Sequence, residues 1–175
     1  MANYKIDLSH SDINFKVKHL MISTVTGKFR KFDASMEATA DDLSDATISF
    51  EAETATVNTG SEQRDGHLKS EEFFASEKYP KMSFVSSSFI KVSTDEYVIA
   101  GNLTIKDVTK PIELKVDFNG EMVDFYGQHK LGFELNGKIN RKDFGLTWSA
   151  VTEAGGIVLG DDVKLNLNIQ MIKQG

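Results

Sequence analysis

The sequence predicts an all-β fold of antiparallel strands, and three observations support this prediction. Apolar and polar residues alternate with a period of two through most of the 175 residues, as in strands whose successive side chains point to opposite faces. Turn-forming residues separate the alternating stretches. Residues 61–78 break the alternation with a charged segment, which predicts a short helical insert.

The first half of the chain contains four alternating stretches. Apolar residues occupy every second position in residues 12–19, and again in residues 25–29 and 32–38. The phase of the alternation changes near Lys31, which predicts a bulge or a turn there. A turn-forming cluster follows, and residues 46–53 resume the alternation as a fourth strand.

The helical insert lies between the two halves of the chain. Ser61 and Ser70 are candidate N-caps for two short helical turns, because a serine hydroxyl can accept a hydrogen bond from a free backbone N–H at a helix start. Pro80 is expected to end the insert, since proline cannot continue a helix.

The second half of the chain predicts five further strands and contains two Asn-Gly dipeptides. Asn119-Gly120 follows an alternating stretch and has the composition of a two-residue hairpin turn. Asn136-Gly137 lies inside a stretch of constant phase, so we interpret it as part of a strand. The five predicted strands are residues 81–92, 97–106, 112–118, 131–139 and 163–171.

About nine antiparallel strands with one apolar face must bury that face. Because only a short helix is available to cover it, the sheet must close on itself as a barrel or stack as a sandwich. A barrel of about eight strands is either filled by side chains or wide enough for one small ligand. The inferred inward positions include Gly27, Gly101 and Gly137 beside several phenylalanines. We interpret these glycines as leaving volume inside, although alternating large and small residues also fill small barrels.

Composition excludes several classes of function. The net charge of −6 and a pI near 5.2 argue against a nucleic-acid partner, which needs a basic surface. The chain has no cysteine, which excludes disulfides, thiolate chemistry and cysteine-ligated metals. No apolar run approaches the ~20 residues of a transmembrane segment. Since the first residues show no signal peptide, a cytoplasmic protein is expected.

Few residues follow a pattern of known chemistry. The histidines at positions 10, 19, 67 and 129 are not spaced as metal ligands, so no metal is expected. The sequence also has no Walker loop and no dinucleotide fingerprint, and no other cofactor is expected. Residues 64–70 combine arginine, histidine and lysine, and they form either a phosphate-binding site or a helical turn held by local ion pairs. An enzyme would use His67 as a general base beside Asp65.

A series of short motifs runs in order along nearly the whole chain. They are Asp7-Leu8-Ser9-His10-Ser11, His19-Leu20-Met21, Val25-Thr26-Gly27-Lys28-Phe29, Arg64-Asp65-Gly66-His67-Leu68-Lys69-Ser70, Phe73-Phe74, Lys78-Tyr79-Pro80, Gly101-Asn102-Leu103-Thr104-Ile105, Gly132-Phe133 and Ile139-Asn140-Arg141-Lys142-Asp143-Phe144-Gly145. These motifs resemble the landmarks of the YceI-like family.

The length of the chain predicts one domain over residues 1–175. The resemblance implies that this domain folds as an extended lipocalin-like antiparallel β-barrel of about eight strands. It implies a long apolar tunnel that holds a polyisoprenoid or a similar amphiphilic chain. Because the inferred inward residues are almost wholly apolar and offer no nucleophile or oriented base, we expect a binding protein without catalytic activity. Many members of the family are exported to the periplasm, and a leader like theirs is not visible here. Tyr4 stands where many members have a tryptophan.

The expected ligand is therefore one isoprenoid or other long-chain lipid, held for storage or transport, while the existence of a homodimer stays open. Two alternatives remain: a small enzyme that acts on a hydrophobic substrate, and an interaction module with a filled barrel. Arg64, His67 and Arg141 are expected to contact the lipid head group. The predicted tunnel wall consists of Phe15, Val17, Leu20, Met21, Val25, Phe29, Phe50, Leu68, Phe73, Phe84, Leu103, Phe133 and Trp148.

Overall fold

The computed structural model of the protein describes residues 1–20, 22–149 and 159–175. Within these residues, eleven strand segments and one α-helix follow one another along the chain. The segments are β1 (Ala2–Ile6), β2 (Asp12–His19), β3 (Ser23–Phe29), β4 (Phe32–Ala38), β5 (Thr47–Glu53), β6 (Val57–Asn58), α1 (Glu62–Lys69), β7 (Lys81–Lys91), β8 (Glu96–Ile105), β9 (Val108–Val123), β10 (His129–Asn140) and β11 (Leu159–Gln174).

In this described part of the chain, the eleven segments make up eight antiparallel strands, because three strands are each broken in two. β1 and β2 form one broken strand, β3 and β4 the next, and β5 and β6 the third. The breaks lie at the 3-10 turn Leu8–His10, at residues 30–31 and at the 3-10 turn Thr54–Thr56. The break at residues 30–31 confirms the turn predicted near Lys31.

The last strand closes the sheet into a barrel. One edge of β11 pairs with β10, and its other edge pairs with both halves of the first strand. Ile6 of β1 lies opposite Met171, and Ile13 of β2 lies opposite Leu167. Consecutive strands are neighbours throughout, so the chain runs up and down around the barrel. The predicted antiparallel barrel of about eight strands is therefore confirmed, and the sandwich is excluded.

The alternation in the sequence determines which side chains face the interior. In β8, Tyr97, Ile99 and Leu103 are buried, while Glu96 and Asn102 on the opposite face are exposed. Because the same alternation holds in the other strands, the apolar face of the sheet forms a continuous lining inside the barrel.

The hairpin predicted at Asn119-Gly120 is wrong. β9 continues through this dipeptide to Val123, and its register with β10 shifts there, so that Asn119 is an extra residue in a β-bulge and Gly120 adopts a φ of +114°. The hairpin connection lies at residues 124–128 instead. By contrast, Asn136-Gly137 lies within β10, as predicted.

The helical insert is confirmed as a single α-helix in the described residues, with one of its two predicted caps. The Ser61 hydroxyl accepts a hydrogen bond from the N–H of Arg64 at 3.3 Å, which makes Ser61 the N-cap of α1. Ser70 ends the helix rather than starting one, because its own N–H donates to the carbonyl of His67. The prediction of Ser70 as an N-cap is therefore wrong. Pro80 ends the insert as predicted, since β7 begins at the next residue.

The inward glycines make room for neighbouring side chains. A Cβ atom on Gly27 would overlap the ring of Phe15 on the adjacent strand, and one on Gly101 would overlap Phe84. Leu114 covers Gly137 in the same way. The interpretation that these glycines leave open volume is therefore wrong, because the aromatic and aliphatic neighbours occupy that volume.

Candidate functional site

The barrel encloses an apolar cavity of about 330 Å³. This volume lies in the range of small-molecule sites, which is roughly 300–1,000 Å³. Inward residues such as Ile48, Phe50 and Leu135 are only half-buried although they point into the barrel. We attribute their accessible surface to the cavity, because all three line it.

The cavity reaches solvent at the end of the barrel where α1 lies. Arg64, His67 and Leu68 of the helix line the cavity, together with Phe73 after it. Trp148 completes this rim from the segment that follows β10. Since His67 both lines the cavity and is 39% exposed, this end is its opening.

The floor of the cavity lies at the opposite end of the barrel. Phe89 lines the cavity and stacks on Tyr97, with ring centroids 4.5 Å apart and planes 17° from parallel. The Tyr97 hydroxyl donates to the carbonyl of Asp42 at 2.6 Å, which fixes the ring to the loop between β4 and β5. Burial, with a contribution from the charges of Asp42 and Asp95, raises the pKa of Tyr97, so this hydroxyl stays a proton donor at neutral pH.

His67 lies within an aromatic cluster at the rim. Its ring meets the edges or faces of Phe73 and Trp148 at centroid distances of 5.0 and 4.9 Å, with interplanar angles of 84° and 89°. The Nε2 atom of His67 is 2.5 Å from the Glu72 carboxylate. The helix and the turn after it therefore hold one imidazole ring at the opening, with one side toward the cavity.

Asp65 does not pair with His67, so the dyad suggested for an enzyme is wrong. The carboxylate of Asp65 is buried and accepts hydrogen bonds from the backbone N–H and the hydroxyl of Thr59, at 2.8 and 2.6 Å. It ties α1 to the segment after β6. The side chains of residues two apart on a helix point in different directions, which explains this separation from His67.

Arg64 is anchored at one side of its guanidinium group and open at the other. Its Nε and Nη2 atoms donate to the hydroxyl and carbonyl of Thr59, at 2.8 and 3.0 Å. Among the described residues, its Nη1 atom has no hydrogen-bond partner within the chain. Arg64 is exposed and lines the cavity, so the free N–H groups are available at the rim.

Arg141 is a structural link beneath the rim, with little capacity to contact a head group. It is 2% exposed. Nη1 donates to the carbonyls of Leu146 and Trp148, both at 2.6 Å, while Nε donates to Gly160 at 2.8 Å and Nη2 to Leu159 at 3.3 Å. Burial lowers its pKa, and the nearby Asp161 acts in the opposite direction. Because its donors are directed at backbone carbonyls, Arg141 joins the segment after β10 to the start of β11.

The structure brings most of the predicted wall residues together. Phe15, Val17, Val25, Phe29, Phe50, Leu68, Phe73, Phe84, Leu103, Phe133 and Trp148 line the cavity, as do Arg64, His67 and Arg141. Leu20 does not line it: this residue lies at the tip of the hairpin between β2 and β3, with a φ of +54° and 40% exposure. Met21 lies outside the described residues.

The prediction from sequence missed much of the wall. The inward residues of β11 also line the cavity, and their alternation in the sequence is a signal that identifies them. Phe74 and Leu146 lie in irregular segments, where no period identifies them. The missed lining residues also include Ile13, Met36, Phe89, Ile99, Ile105, Leu114, Val116, Leu135, Ile139 and Leu159.

A charged cluster fastens the first strand at the break between β1 and β2. Lys130 donates to the Asp7 carboxylate at 2.7 Å, and Nδ1 of His10 lies 2.9 Å from the same carboxylate. Burial alone would raise the pKa of Asp7, but the hydrogen bonds from Lys130, His10 and Ser9 outweigh it and hold that pKa well below its ordinary value. The bond to Asp7 also raises the pKa of Lys130. This ion pair is remote from the opening and has a structural role.

Within residues 1–20, 22–149 and 159–175, no group of three or more His, Asp or Glu side chains is arranged to hold a metal ion. In the same residues, no helix is long and apolar enough to span a bilayer.

Comparison with known proteins identifies the family. The YceI-like domain family matches residues 4–171. A UPF0312 protein of Staphylococcus epidermidis is 36% identical over 171 residues, which are 97% of each chain. The crystal structure of the Campylobacter jejuni YCEI protein superposes with a TM-score of 0.77 at 34% identity and covers 90% of each chain. A Saccharophagus degradans domain, described as a polyisoprenoid binding domain implicated in plant cell wall breakdown, shares the fold with a TM-score of 0.71, 14% identity and 98% of each chain covered. This chain therefore belongs to the YceI-like family.

Proposed function

We propose that the protein binds one long-chain amphiphilic lipid in the barrel cavity, and that this lipid is a polyisoprenoid such as an isoprenoid quinone, alcohol or diphosphate. The observation that carries the proposal is the cavity, whose described wall is apolar apart from Asn14, His19, Arg64, His67 and Arg141. A ligand that matches this wall has a long apolar tail and one polar end.

Burial of the tail supplies most of the binding free energy in this proposal. Each methylene group that moves from water into the cavity contributes about 0.8 kcal/mol. Ten buried carbons would contribute about 8 kcal/mol before the costs of association. A long lipid can therefore bind tightly without a strong polar contact.

The polar end of the lipid would lie at the rim beside Arg64 and His67. The open Nη1 side of Arg64 can donate to a phosphate or a hydroxyl oxygen, whereas the donors of Arg141 are directed at carbonyls. We therefore propose that Arg64 and His67 contact the head group and that Arg141 does not. Phe73 and Trp148 would cover the first part of the tail.

Two observations support a polyisoprenoid over other lipids. The fold is shared with the Saccharophagus degradans domain that is described as binding polyisoprenoids. The wall also carries phenylalanines at several depths, including Phe29, Phe84 and Phe133, beside branched aliphatic side chains that suit a methyl-branched tail. Storage or transport of this lipid, and a cytoplasmic location, remain predictions.

Two alternative functions are an interaction module with a filled barrel and a small enzyme. The cavity argues against an interaction module with a filled barrel. An enzyme would have to use the pair of His67 and Glu72 at the rim, because Asp65 is committed to Thr59. We propose that no turnover occurs there. Incubation of isoprenoid alcohols, diphosphates and quinones with wild type and with His67→Gln should give no product that depends on His67.

The experiment that tests the proposed function is solvent extraction of the purified protein followed by mass spectrometry. We expect close to one isoprenoid lipid per chain, strongly enriched over its share of the lipids in the same lysate. An extract that contains no lipid, or only bulk phospholipids in lysate proportions, would contradict the proposal.

A further inference from the structure

The hairpin formed by β2 and β3 differs from the rest of the molecule in charge. Between Ile13 and Phe32 the chain carries five lysine or arginine residues and no acidic residue, although its overall charge is −6. All five cationic side chains are exposed. In the described part of the chain, none of them forms an ion pair. Lys16, Lys18 and Lys28 lie in the hairpin, and Arg30 and Lys31 follow β3 at the break before β4. Asp12 begins β2 at the end that is far from the hairpin tip.

The lysines of this hairpin lie on its outer surface. Lys16 and Lys18 are opposite Thr26 and Thr24 of β3. On the other side, Lys16 lies directly opposite Lys164 of β11. Like charges at opposed positions of an antiparallel pair are unfavourable. Folding alone does not favour this arrangement, whereas a negatively charged surface beside the lysines would.

The tip of the same hairpin is apolar and exposed. Ile22 is 86% exposed, and Leu20 beside it is 40% exposed. The hairpin also borders the opening of the cavity, because Val17 and His19 of β2 and Val25 of β3 line the cavity. An apolar tip, a cationic flank and the opening therefore lie at one end of the barrel.

The opposite end of the barrel is acidic. Its connections carry Asp41, Asp42 and Asp45 between β4 and β5, and Asp95 between β7 and β8. Asp124 lies in the connection between β9 and β10. At the open end, the insert that contains α1 carries charges of both signs, as do the connections with Lys106 and Asp107 and with Lys142 and Asp143. A negatively charged surface would therefore attract the hairpin and repel the floor of the barrel.

We propose that the β2–β3 hairpin docks the open end of the barrel on an anionic lipid bilayer. Ile22 and Leu20 enter the membrane–water interface, while Lys16 and Lys18 lie above the lipid head groups. At about 3.3 Å per strand residue, Lys18 is roughly 7 Å and Lys16 roughly 13 Å along β2 from Leu20, which is comparable to the Debye length in physiological salt. The docking rests on the proposed function, since it gives a lipid-binding cavity direct access to the membrane that holds its ligand.

Flotation with vesicles tests the proposal. The wild-type protein should float with vesicles of 70% phosphatidylcholine and 30% phosphatidylglycerol, and weakly or not at all with pure phosphatidylcholine. Neutralisation of Lys16 and Lys18 in the double variant K16Q/K18Q should lower the partition coefficient by about fivefold per lysine. The matched control is K115Q/K173Q, which removes two exposed lysines elsewhere on the barrel and should have little effect. Equal losses in the two double variants, or no binding by wild type, would overturn the proposal.

The apolar tips at the two ends provide a second comparison. Phe125 is fully exposed in the connection between β9 and β10, at the end opposite the opening. Ile22→Asp should weaken vesicle binding and Phe125→Asp should not, and the reverse result would refute the orientation. Because the chain has no cysteine, Ile22→Cys and Phe125→Cys can also each carry a single polarity-sensitive fluorophore. The probe at position 22 should shift to the blue on vesicle addition, whereas a shift only at position 125 would contradict the proposal.

Lipid extraction and vesicle binding together distinguish a failure of the docking proposal from a failure of the proposed function. Protein that yields an isoprenoid on extraction but does not bind anionic vesicles would refute the docking and leave the proposed function intact. Protein that binds vesicles through the hairpin but yields no lipid would support the docking and refute the proposed function.

Discussion

A tryptophan placed inside the barrel should displace the ligand. Ile48 of β5 lines the cavity and is half-buried, so its side chain borders free volume. Ile90 of β7 is 58% exposed on the outer surface and provides the matched control. The pair Ile48→Trp and Ile90→Trp makes the same chemical change on opposite faces of the sheet.

The size of the effect follows from the volume that the new ring takes. Replacement of isoleucine by tryptophan adds six heavy atoms, which would exclude a comparable number of tail carbons from the cavity. At about 0.8 kcal/mol per methylene, the ligand would lose up to about 5 kcal/mol, which corresponds to a more than thousandfold weaker affinity. Partial rearrangement of the tail would reduce this loss, but a hundredfold loss would remain clear.

Calorimetric titration with an isoprenoid alcohol measures this loss, and urea unfolding of the same variants shows whether the barrel stays folded. Overpacking is expected to lower the free energy of unfolding of Ile48→Trp by about 1–3 kcal/mol. Ile90→Trp should bind like wild type. If Ile48→Trp stays folded and binds like Ile90→Trp, the ligand does not occupy the cavity.

Three further predictions concern the rim, the buried charges and the wall. Arg64→Ala should weaken binding of an isoprenoid diphosphate by about 1.5–3 kcal/mol more than binding of the neutral alcohol. Both affinities can be measured through the fluorescence of the single tryptophan. Equal losses for the two ligands would exclude a contact between Arg64 and the head group. Asp7→Asn should lower the free energy of unfolding at pH 7 by about 2–3 kcal/mol, because the depressed pKa of Asp7 makes its charged form stabilising. In urea unfolding, the difference in stability between wild type and Asp7→Asn should shrink as the pH falls below about 4, where the unfolded carboxyl becomes protonated. A difference that stays constant with pH would contradict this account. Gly101→Ala should lower the midpoint of urea unfolding more than Gly132→Ala, since an added Cβ meets strand backbone at position 101 and has ordinary van der Waals clearance at 132.

Much of the fold could be predicted because the chemistry of a strand repeats every two residues. The alternation in β8 and β11 identifies their inward faces, and the phase change near Lys31 locates a break in a strand. The sequence could not distinguish a hairpin from a bulge at Asn119-Gly120, because a glycine with positive φ suits both. The pairing register with β10, which decides between them, depends on residues distant in the sequence.

The candidate site was predictable where a residue's role follows from its position in a strand, and less so elsewhere. Residue type alone assigned Arg141 to a head group, but a buried guanidinium that faces several carbonyls is satisfied within the protein. The partner of His67 is Glu72, which comes from the turn after α1. Neither contact can be recognised from a repeating pattern in the sequence, because both are made by irregular segments that pack across the opening.

The measurement that tests the central claim most directly is an isotope-filtered NMR experiment on protein with labelled methyl groups and an unlabelled isoprenoid alcohol. Bound lipid inside the barrel should give intermolecular NOEs to the methyl groups of Ile99, Leu103 and Leu135, which line the cavity. It should give none to Val85 and Ile90, which point outward from β7. NOEs confined to the outward methyl groups, or saturable binding without NOEs to the cavity methyl groups, would contradict the account.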